Sequence, residues 1–301
     1  MTKRVAITGS SGLIGGALRR HLQARGDVVV RVVRRAPSGP DEVRWDPTRG
    51  ELDATALEGV DALVNLAGVG IGDKRWDAAH KREVERSRTD ATGTVARALA
   101  DARTRGSSPR LVNASAVGFY GDRGDEVLTE HSEPGQDVLA GIVTRWEAAA
   151  DPAREAGVPV ACVRSGLVMS PDGGAFKPVL LLARLGLAGP MGSGDEWWPW
   201  ITLVDEVRAI THLIDHPELA GPFNLAAPGA ARQREIASAI AAALHRPAVL
   251  PAPRLALRAV VGEFADSIVA SQRVVPEALG SAGFAFEHPD LESAVSWLVR
   301  G

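Results

Sequence analysis

In the first half of the chain, short apolar runs alternate with stretches whose apolar residues recur at helical spacing. Val5 to Ile7 is such a run and predicts a strand. Leu13, Ile14, Ala17, Leu18, His21 and Leu22 then share one face of a 3.6-residue period, which predicts a helix over Leu13–Arg25 stopped by Gly26. The β-branched run Val28–Val33 predicts a second strand, and Ala62–Leu66, Arg110–Ala114 and Val158–Val163 predict three more. Helices are predicted at Thr92–Arg103 and Val143–Glu155. Near-continuous apolar strands alternating with helices imply a parallel sheet covered on both faces. The rhythm breaks after Gly166, where glycine and proline punctuate residues 171–199. Beyond lie mixed helix and short strand and a last helix near Leu291–Val299. The expected class is α/β. Residues 1–166 form a doubly wound sheet. A smaller α+β lobe over 167–301 covers its carboxyl edge and returns some segments to the sheet.

The turn after the first strand sharpens this picture. Thr8-Gly9-Ser10-Ser11-Gly12-Leu13-Ile14-Gly15 links that strand to the first helix with glycines spaced G-x-x-G-x-x-G. Gly9 allows a sharp reversal, Gly12 a close approach of backbone N–H groups to a pyrophosphate, and Gly15 tight packing of helix on strand. With Ser11, Leu13 and Ile14 opening the helix, its N-terminus faces the anion. The fold is therefore expected to be Rossmann-type. NAD-binding chains place Asp or Glu at the end of the second strand to hold the ribose 2′-hydroxyl. Here that strand ends in Arg34-Arg35, with no acid before Asp41. A guanidinium fork matches a 2′-phosphate, so NADP(H) is the expected cofactor.

Composition changes little. The chain has 301 residues, 45% hydrophobic and 24% charged, a globular mixture. A net charge of −3 offers nucleic acid or an anionic membrane no electrostatic purchase. Cys162 is the only cysteine and lies in an apolar run, so it is expected as a buried core thiol. No intrachain disulfide is possible, which suits a reducing cytoplasm. No apolar run reaches 18 residues, and Met-Thr-Lys-Arg before the first strand leaves no room for a signal peptide. The expected location is cytoplasmic, and the expected partner is a small-molecule substrate, bound by a monomer or homodimer. No metal-ligand spacing is present.

Several further segments carry a resemblance. Trp45-Asp46-Pro47, Val64-Asn65-Leu66-Ala67-Gly68, Lys74-Arg75-Trp76, Ser87-Arg88, Ala114 to Gly121, Trp146-Glu147, Arg164-Ser165-Gly166 and Trp200-Ile201-Thr202 are all matching pieces. Leu257 to Phe264, Gln272 to Pro276 and Ala282-Gly283-Phe284 match near the end. Together they resemble the extended short-chain dehydrogenase/reductases, the NAD-dependent epimerase/dehydratase family. The nearer likeness is to its atypical "epimerase family protein" subgroup, with a C-terminal extension over about 250–299. The resemblance implies that Leu66, Ala67, Gly68 and Val69 pass under the cofactor and that Asp46 sits beside the adenine. It also implies that Ser115 ends a strand near the nicotinamide, that Arg164, Gly166 and Val168 line the nicotinamide side, and that Trp200 to Asp205 closes over the substrate cleft. Most relatives carry His where this chain has Thr202.

One departure from the family matters for chemistry. The family uses a Tyr-x-x-x-Lys pair, in which the lysine lowers the tyrosine's pKa. The single tyrosine here, Tyr120, is followed four residues later by Gly124, and no lysine lies between Lys81 and Lys177. Counted from Glu147, the pair's positions fall on Leu139 and Val143. Candidate proton donors are Ser115 and Tyr120, with Glu130 or His131 behind them. Tyr120 serves equally as packed structure, and the cluster Trp197-Trp198-Pro199-Trp200 reads either as a substrate wall or as an apolar plug. Three functions follow, in order: an NADP(H)-dependent oxidoreductase on a small carbonyl, alcohol or sugar-derived substrate; a non-catalytic NADP(H)-binding sensor or scaffold; and a nucleotide-sugar epimerase or dehydratase.

Overall fold

Eight strands form one sheet in the order β12-β8-β6-β5-β1-β2-β3-β4 in the computed structural model, which describes residues 2–300 apart from the side chains of Ala256 and Val260. The expected boundaries at Met1 and Gly301 lie outside the described residues. The strands are β1 (Arg4–Thr8), β2 (Val28–Val33), β3 (Glu42–Asp46), β4 (Glu51–Leu52), β5 (Ala62–Asn65), β6 (Arg110–Ala116), β8 (Val160–Ser165) and β12 (Gly221–Leu225). All neighbours are parallel except β3 and β4. The expectation of a doubly wound parallel sheet holds. β12 comes from beyond residue 166 and extends the sheet past β8.

Helices cover both faces because both faces of the strands are apolar. On one face α1 (Leu13–Ala24), α6 (Leu203–Asp215) and α10 (Glu277–Ser281) bury Leu18, Leu22, Ile210, Leu213 and Leu279 against Val5, Ile7 and Val163. On the other, α2 (Ala78–Thr104), α3 (Val138–Ala148) and α4 (Asp151–Glu155) lie over Ala6, Leu63, Leu111 and Cys162. Cys162 is a buried thiol, as its apolar run implies, and burial pushes its pKa up to about 12.

Two helices differ from their expected bounds, each for a local reason. α2 begins at Ala78, well before Thr92, because Asp77 caps it by accepting from the His80 N–H at 2.7 Å. Its first half is polar and buries only His80 and Val84, so no apolar stripe announced it. The stretch expected as one helix over Val143–Glu155 is two. Asp137 caps α3, and Pro152, which has no N–H, opens α4.

The remaining elements gather at the sheet's carboxyl edge. β9 (Leu167–Met169) pairs with β11 (Trp200–Thr202), β10 (Trp197–Trp198) with β13 (Ala231–Arg232), and β7 (Val127–Leu128) with β14 (Arg273–Val274). α5 (Phe176–Arg184), α7 (Gln233–Ala243) and α11 (Leu291–Arg300) enclose a separate core around Phe176, Trp198, Trp200 and Leu298. α8 (Arg254–Val261) and α9 (Phe264–Ile268) lead from this core back to the sheet edge. Among the described residues no helix is long and apolar enough to cross a membrane.

Candidate cofactor and substrate site

β1 has β2 on one side and β5 on the other, so the chain leaves β1 and β5 in opposite directions and opens a crevice at their carboxyl ends. A cleft of about 750 Å³ occupies it. The turn after β1 forms its floor. Gly9 has φ +64°, and a Cβ there would lie 2.6 Å from the Leu66 carbonyl oxygen. A Cβ on Gly15 would lie 2.3 Å from the Gly9 oxygen, so no larger residue fits at either place. Gly12 is different: its Cβ would meet only the Gly9 oxygen, at 3.4 Å. Gly12 precedes α1 as its cap, without a side-chain hydrogen bond and without an acid in the first turn. The positive end of α1 is thus left for an anion.

The opposite wall is held by polar groups buried under it. Thr8 Oγ1 donates to Asn65 Oδ1 at 2.7 Å and accepts from the backbone N–H groups of Leu66 and Ala67. Asn65 Nδ2 donates to Asn113 Oδ1 and Thr92 Oγ1, and the Trp146 indole also donates to Thr92. Ser87 Oγ accepts from the Val69 N–H, and Arg88 donates to the Val69 carbonyl. Leu66 to Gly70 therefore run past the cleft as a fixed strip of backbone. Polar residues at the ends of apolar strands were the sequence signal for this network.

At the end of β2 the two expected arginines part company. Arg35 makes a two-point contact with Glu42, at 2.7 and 2.5 Å, and holds that carboxyl at about 2 with the help of the Ser38 N–H. Arg34 is exposed, lines the cleft and forms no ion pair among the described residues. Arg31 also lines the cleft, pairs with Glu42 at 2.9 Å and reaches Ser10 Oγ at 3.5 Å. Sequence reading missed Arg31, although a charge inside Val-Val-Val-Arg-Val-Val was a visible anomaly. The cleft thus gathers Gly9, Ser11, Gly12, Arg34, Arg35, Leu66, Ala67, Gly68 and Val69. Leu13, Ile14 and Gly15 form the first turn of α1 behind it. Asp46 lies beside the cleft wall; its carboxylate accepts from the Thr48 N–H and hydroxyl, while Trp45, Pro47 and Thr48 face the space. Cleft size, uncapped helix terminus and unpaired guanidinium all fit a phosphorylated dinucleotide.

Beyond the cleft, the end of β6 carries a chain of buried polar side chains. Ser115 Oγ donates to Glu147 Oε1 at 2.5 Å, and Glu147 is clasped by Arg164 at 2.9 and 3.0 Å. Arg164 also donates to the Tyr120 hydroxyl at 3.0 Å, and that hydroxyl donates to Asn224 Oδ1 at 2.6 Å. The Arg164 guanidinium stacks 3.5 Å from the centroid of Phe119. Tyr120 is wholly buried, and burial pushes its pKa up. The structure joins Ser115 to Arg164 through Glu147, and Tyr120 to the same chain through Arg164, but none of Ser115, Tyr120 and Arg164 is among the residues lining the cleft or the cavity beyond it. Glu130 Oε1 accepts the N–H groups of Asn224 and Ala278, while His131 is exposed. Leu139 packs on Gly118, and Val143 is buried beside Tyr120. Gly166 donates its N–H to the Leu225 carbonyl, and Val168 pairs with Ile201 in the β9–β11 ladder.

A second cavity, about 370 Å³, lies where β6 and β9 meet the C-terminal elements and includes Val117, Leu167 and Pro199. Trp198 is in its wall, Trp200 is in the core donating to the Gly229 carbonyl, and Trp197 stacks under Arg232 and Arg273. The tryptophan cluster is therefore divided between wall and plug.

A parallel sheet reversing at β1/β5, with a glycine turn feeding an uncapped helix, defines a Rossmann-type dinucleotide-binding fold. The chain belongs to the NAD dependent epimerase/dehydratase family, whose model matches residues 5–226. A second model, described as a domain of unknown function (DUF1731), matches residues 252–298, the expected C-terminal extension. An epimerase family protein of Mycobacterium bovis is 43% identical over 97% of this chain and 96% of its own length. Epimerase family protein SDR39U1 of Homo sapiens is 36% identical over 98% of this chain and 99% of its own. A crystal structure of human SDR39U1 (isoform 2) with NADPH superposes with TM-score 0.88 at 34% identity, covering 99% of both chains. A nucleoside-diphosphate sugar epimerase from Corynebacterium glutamicum superposes with TM-score 0.81 at 34% identity, covering 98% of this chain and 58% of that one.

Proposed function

We propose that the protein is an NADP(H)-dependent oxidoreductase acting on a small carbonyl or alcohol. The observation that carries this reading is the pairing of a basic, dinucleotide-sized cleft with a separate cavity at the carboxyl ends of β6 and β9. The likeness to the NADPH-bound human structure supports the same cofactor here. Gly9 to Gly12 and the N-terminus of α1 would hold the pyrophosphate, Arg34 with Arg31 the 2′-phosphate, and Leu66 to Val69 the adenosine half. NADPH bound there supplies a hydride to a carbonyl carbon.

The chain's own part is to bind, orient and move one proton. With Leu139 and Val143 at the family's tyrosine and lysine positions, the hydroxyl assigned to the substrate oxygen is that of Ser115, at the carboxyl end of β6 between cleft and cavity. Glu147 is its hydrogen-bond partner, and Arg164 holds that carboxylate in place through two contacts. Tyr120 acts through Arg164 as a positioning residue. Steady oxidation of NADPH, followed by absorbance with a panel of aldehydes, ketones and sugars, tests the reading. Ser115→Ala should lower kcat by at least about 10²-fold at unchanged NADPH affinity. An unchanged kcat would remove Ser115 from the mechanism.

The apolar residues at 139 and 143 also favour a second reading, a non-catalytic NADP(H)-binding sensor. It predicts tight cofactor binding with no turnover on any member of that panel.

A further inference from the structure

We propose that the cavity beyond the cleft takes an uncharged, mainly apolar compound bearing one carbonyl or hydroxyl group, and that it excludes nucleotide-linked sugars. As a substrate class, this rests on the oxidoreductase reading; as a binding site, it does not. No Asp, Glu, Lys, Arg or His lines the cavity. Its walls are aliphatic and aromatic, with Leu167, Val179, Trp198, Leu257, Phe264 and Ile268 among them. A nucleoside diphosphate would bring two or more negative charges into this space with no cation to meet them, and an unpaired buried charge is far too costly to bind.

Two amides, with the hydroxyl residue Ser267 in the same lining, supply the polar contacts that such a cavity needs for orientation. Gln233 Oε1 accepts from the Met191 N–H at 2.9 Å, and Gln272 Nε2 donates to the carbonyls of Val117 and Gly121, each at 3.0 Å. The other amide atom of each, Gln233 Nε2 and Gln272 Oε1, has no protein partner among the described residues. One free donor and one free acceptor suit a carbonyl oxygen and the hydroxyl that replaces it. Reduction balances on that group: the carbonyl carbon gains the hydride, its oxygen gains a proton, and NADPH leaves as NADP⁺.

The entrance agrees with the interior. Leu182, Leu187 and Leu250 line the cavity and are 46%, 46% and 47% exposed, and Leu181, Leu185 and Val249 lie exposed nearby in sequence. An apolar rim of this kind admits an apolar molecule more readily than a solvated sugar. At about 30 Å³ per water-sized unit, the volume suits a ligand of roughly a dozen non-hydrogen atoms.

The test is calorimetric titration of the full chain, saturated with NADPH, using straight-chain 2-alkanones from butanone upward and, separately, UDP-glucose. Affinity should rise about three- to fourfold per methylene and level off near ten carbons, and UDP-glucose should give no heat. Val179→Trp, which fills the interior, and Leu182→Trp, which narrows the rim without touching the core, should each weaken 2-decanone at least tenfold and leave NADPH affinity unchanged. Affinity independent of chain length, UDP-glucose binding that displaces the ketone, or ketone binding unaffected by both variants would overturn the proposal. Ketones that bind this way without NADPH oxidation would refute the oxidoreductase reading alone. Reduction of NADP⁺ by UDP-glucose, one of its hydroxyls being oxidised to a ketone, with no NADPH oxidation by any 2-alkanone, would refute the apolar site alone.

Discussion

Replacing Arg34 with alanine removes the guanidinium at the end of β2 that no carboxylate claims. On the proposed assignment the 2′-phosphate of NADPH would present a dianion to that position, where NADH would offer a hydroxyl. A hydrogen bond between charged partners contributes about 1.5–3 kcal/mol. Arg34 is exposed, so solvent and salt screen it, and the lower figure applies. Arg34→Ala should therefore weaken NADPH about tenfold and leave NADH nearly unchanged. Arg35→Ala should do less, because both its terminal nitrogens are already committed to Glu42. Glu42→Gln should act in the opposite direction and tighten NADPH severalfold, by freeing Arg31 and Arg35 and removing a negative charge from the cleft edge. Calorimetric titration of each variant with both cofactors, at low and high ionic strength, gives the discrimination ratio directly. Equal losses for NADPH and NADH in Arg34→Ala, or no loss for either, would refute the assignment of the phosphate to this corner.

Other consequences follow from the same geometry. Gly12→Val should abolish binding of both cofactors while circular dichroism and melting temperature stay near native, because the new side chain meets only cleft space and the Gly9 oxygen; retained affinity would show that the pyrophosphate lies elsewhere. Tyr120→Phe strands Asn224 Oδ1 and one Arg164 N–H in the interior, so it should cost about 1–3 kcal/mol by denaturant unfolding, with kcat falling far less than in Ser115→Ala; a kcat loss of 10²-fold at full stability would make the phenol itself the proton donor. Burial raises the pKa of Glu206 from the usual 4.5 to about 8, with Ser165 as its hydrogen-bond donor. The folded protein then keeps a proton that the unfolded chain releases, so stability should be complete below about pH 4.5 and fall by about 1.4 kcal/mol per unit as pH rises toward 8. Glu206→Gln should flatten that fall, and an unchanged slope in chemical denaturation across this range would show that Glu206 is not its source.

The fold was legible wherever burial imposed a period. β1, α1, β2 and β6 follow from their apolar spacing because each presses a continuous apolar face on the core. α2 was half-hidden because its first turns carry charge on most sides and owe their start to Asp77. β3, Glu42-Val43-Arg44-Trp45-Asp46, carries a two-residue alternation that its charges and short length obscured, and β2 offers it an edge. At the site, the glycine turn declared itself through spacing, and the arginines through the missing acid. Which arginine is free depended on Glu42, seven residues beyond Arg35 and brought beside it by the β2–β3 pairing. The Ser115–Glu147–Arg164 chain spans three separate elements, so no local pattern could join it. The apolar cavity is assembled from α5, α7, α8 and α9, and its character appears only when they pack.

The central claim is that this cleft holds a dinucleotide by its 2′-phosphate. Calorimetric titration of the unaltered protein with NADPH and with NADH tests it most directly. One site per chain is expected, with NADPH tighter by at least about tenfold, a margin that shrinks as salt is added. Equal affinities, a preference for NADH, or no binding of either cofactor would contradict it.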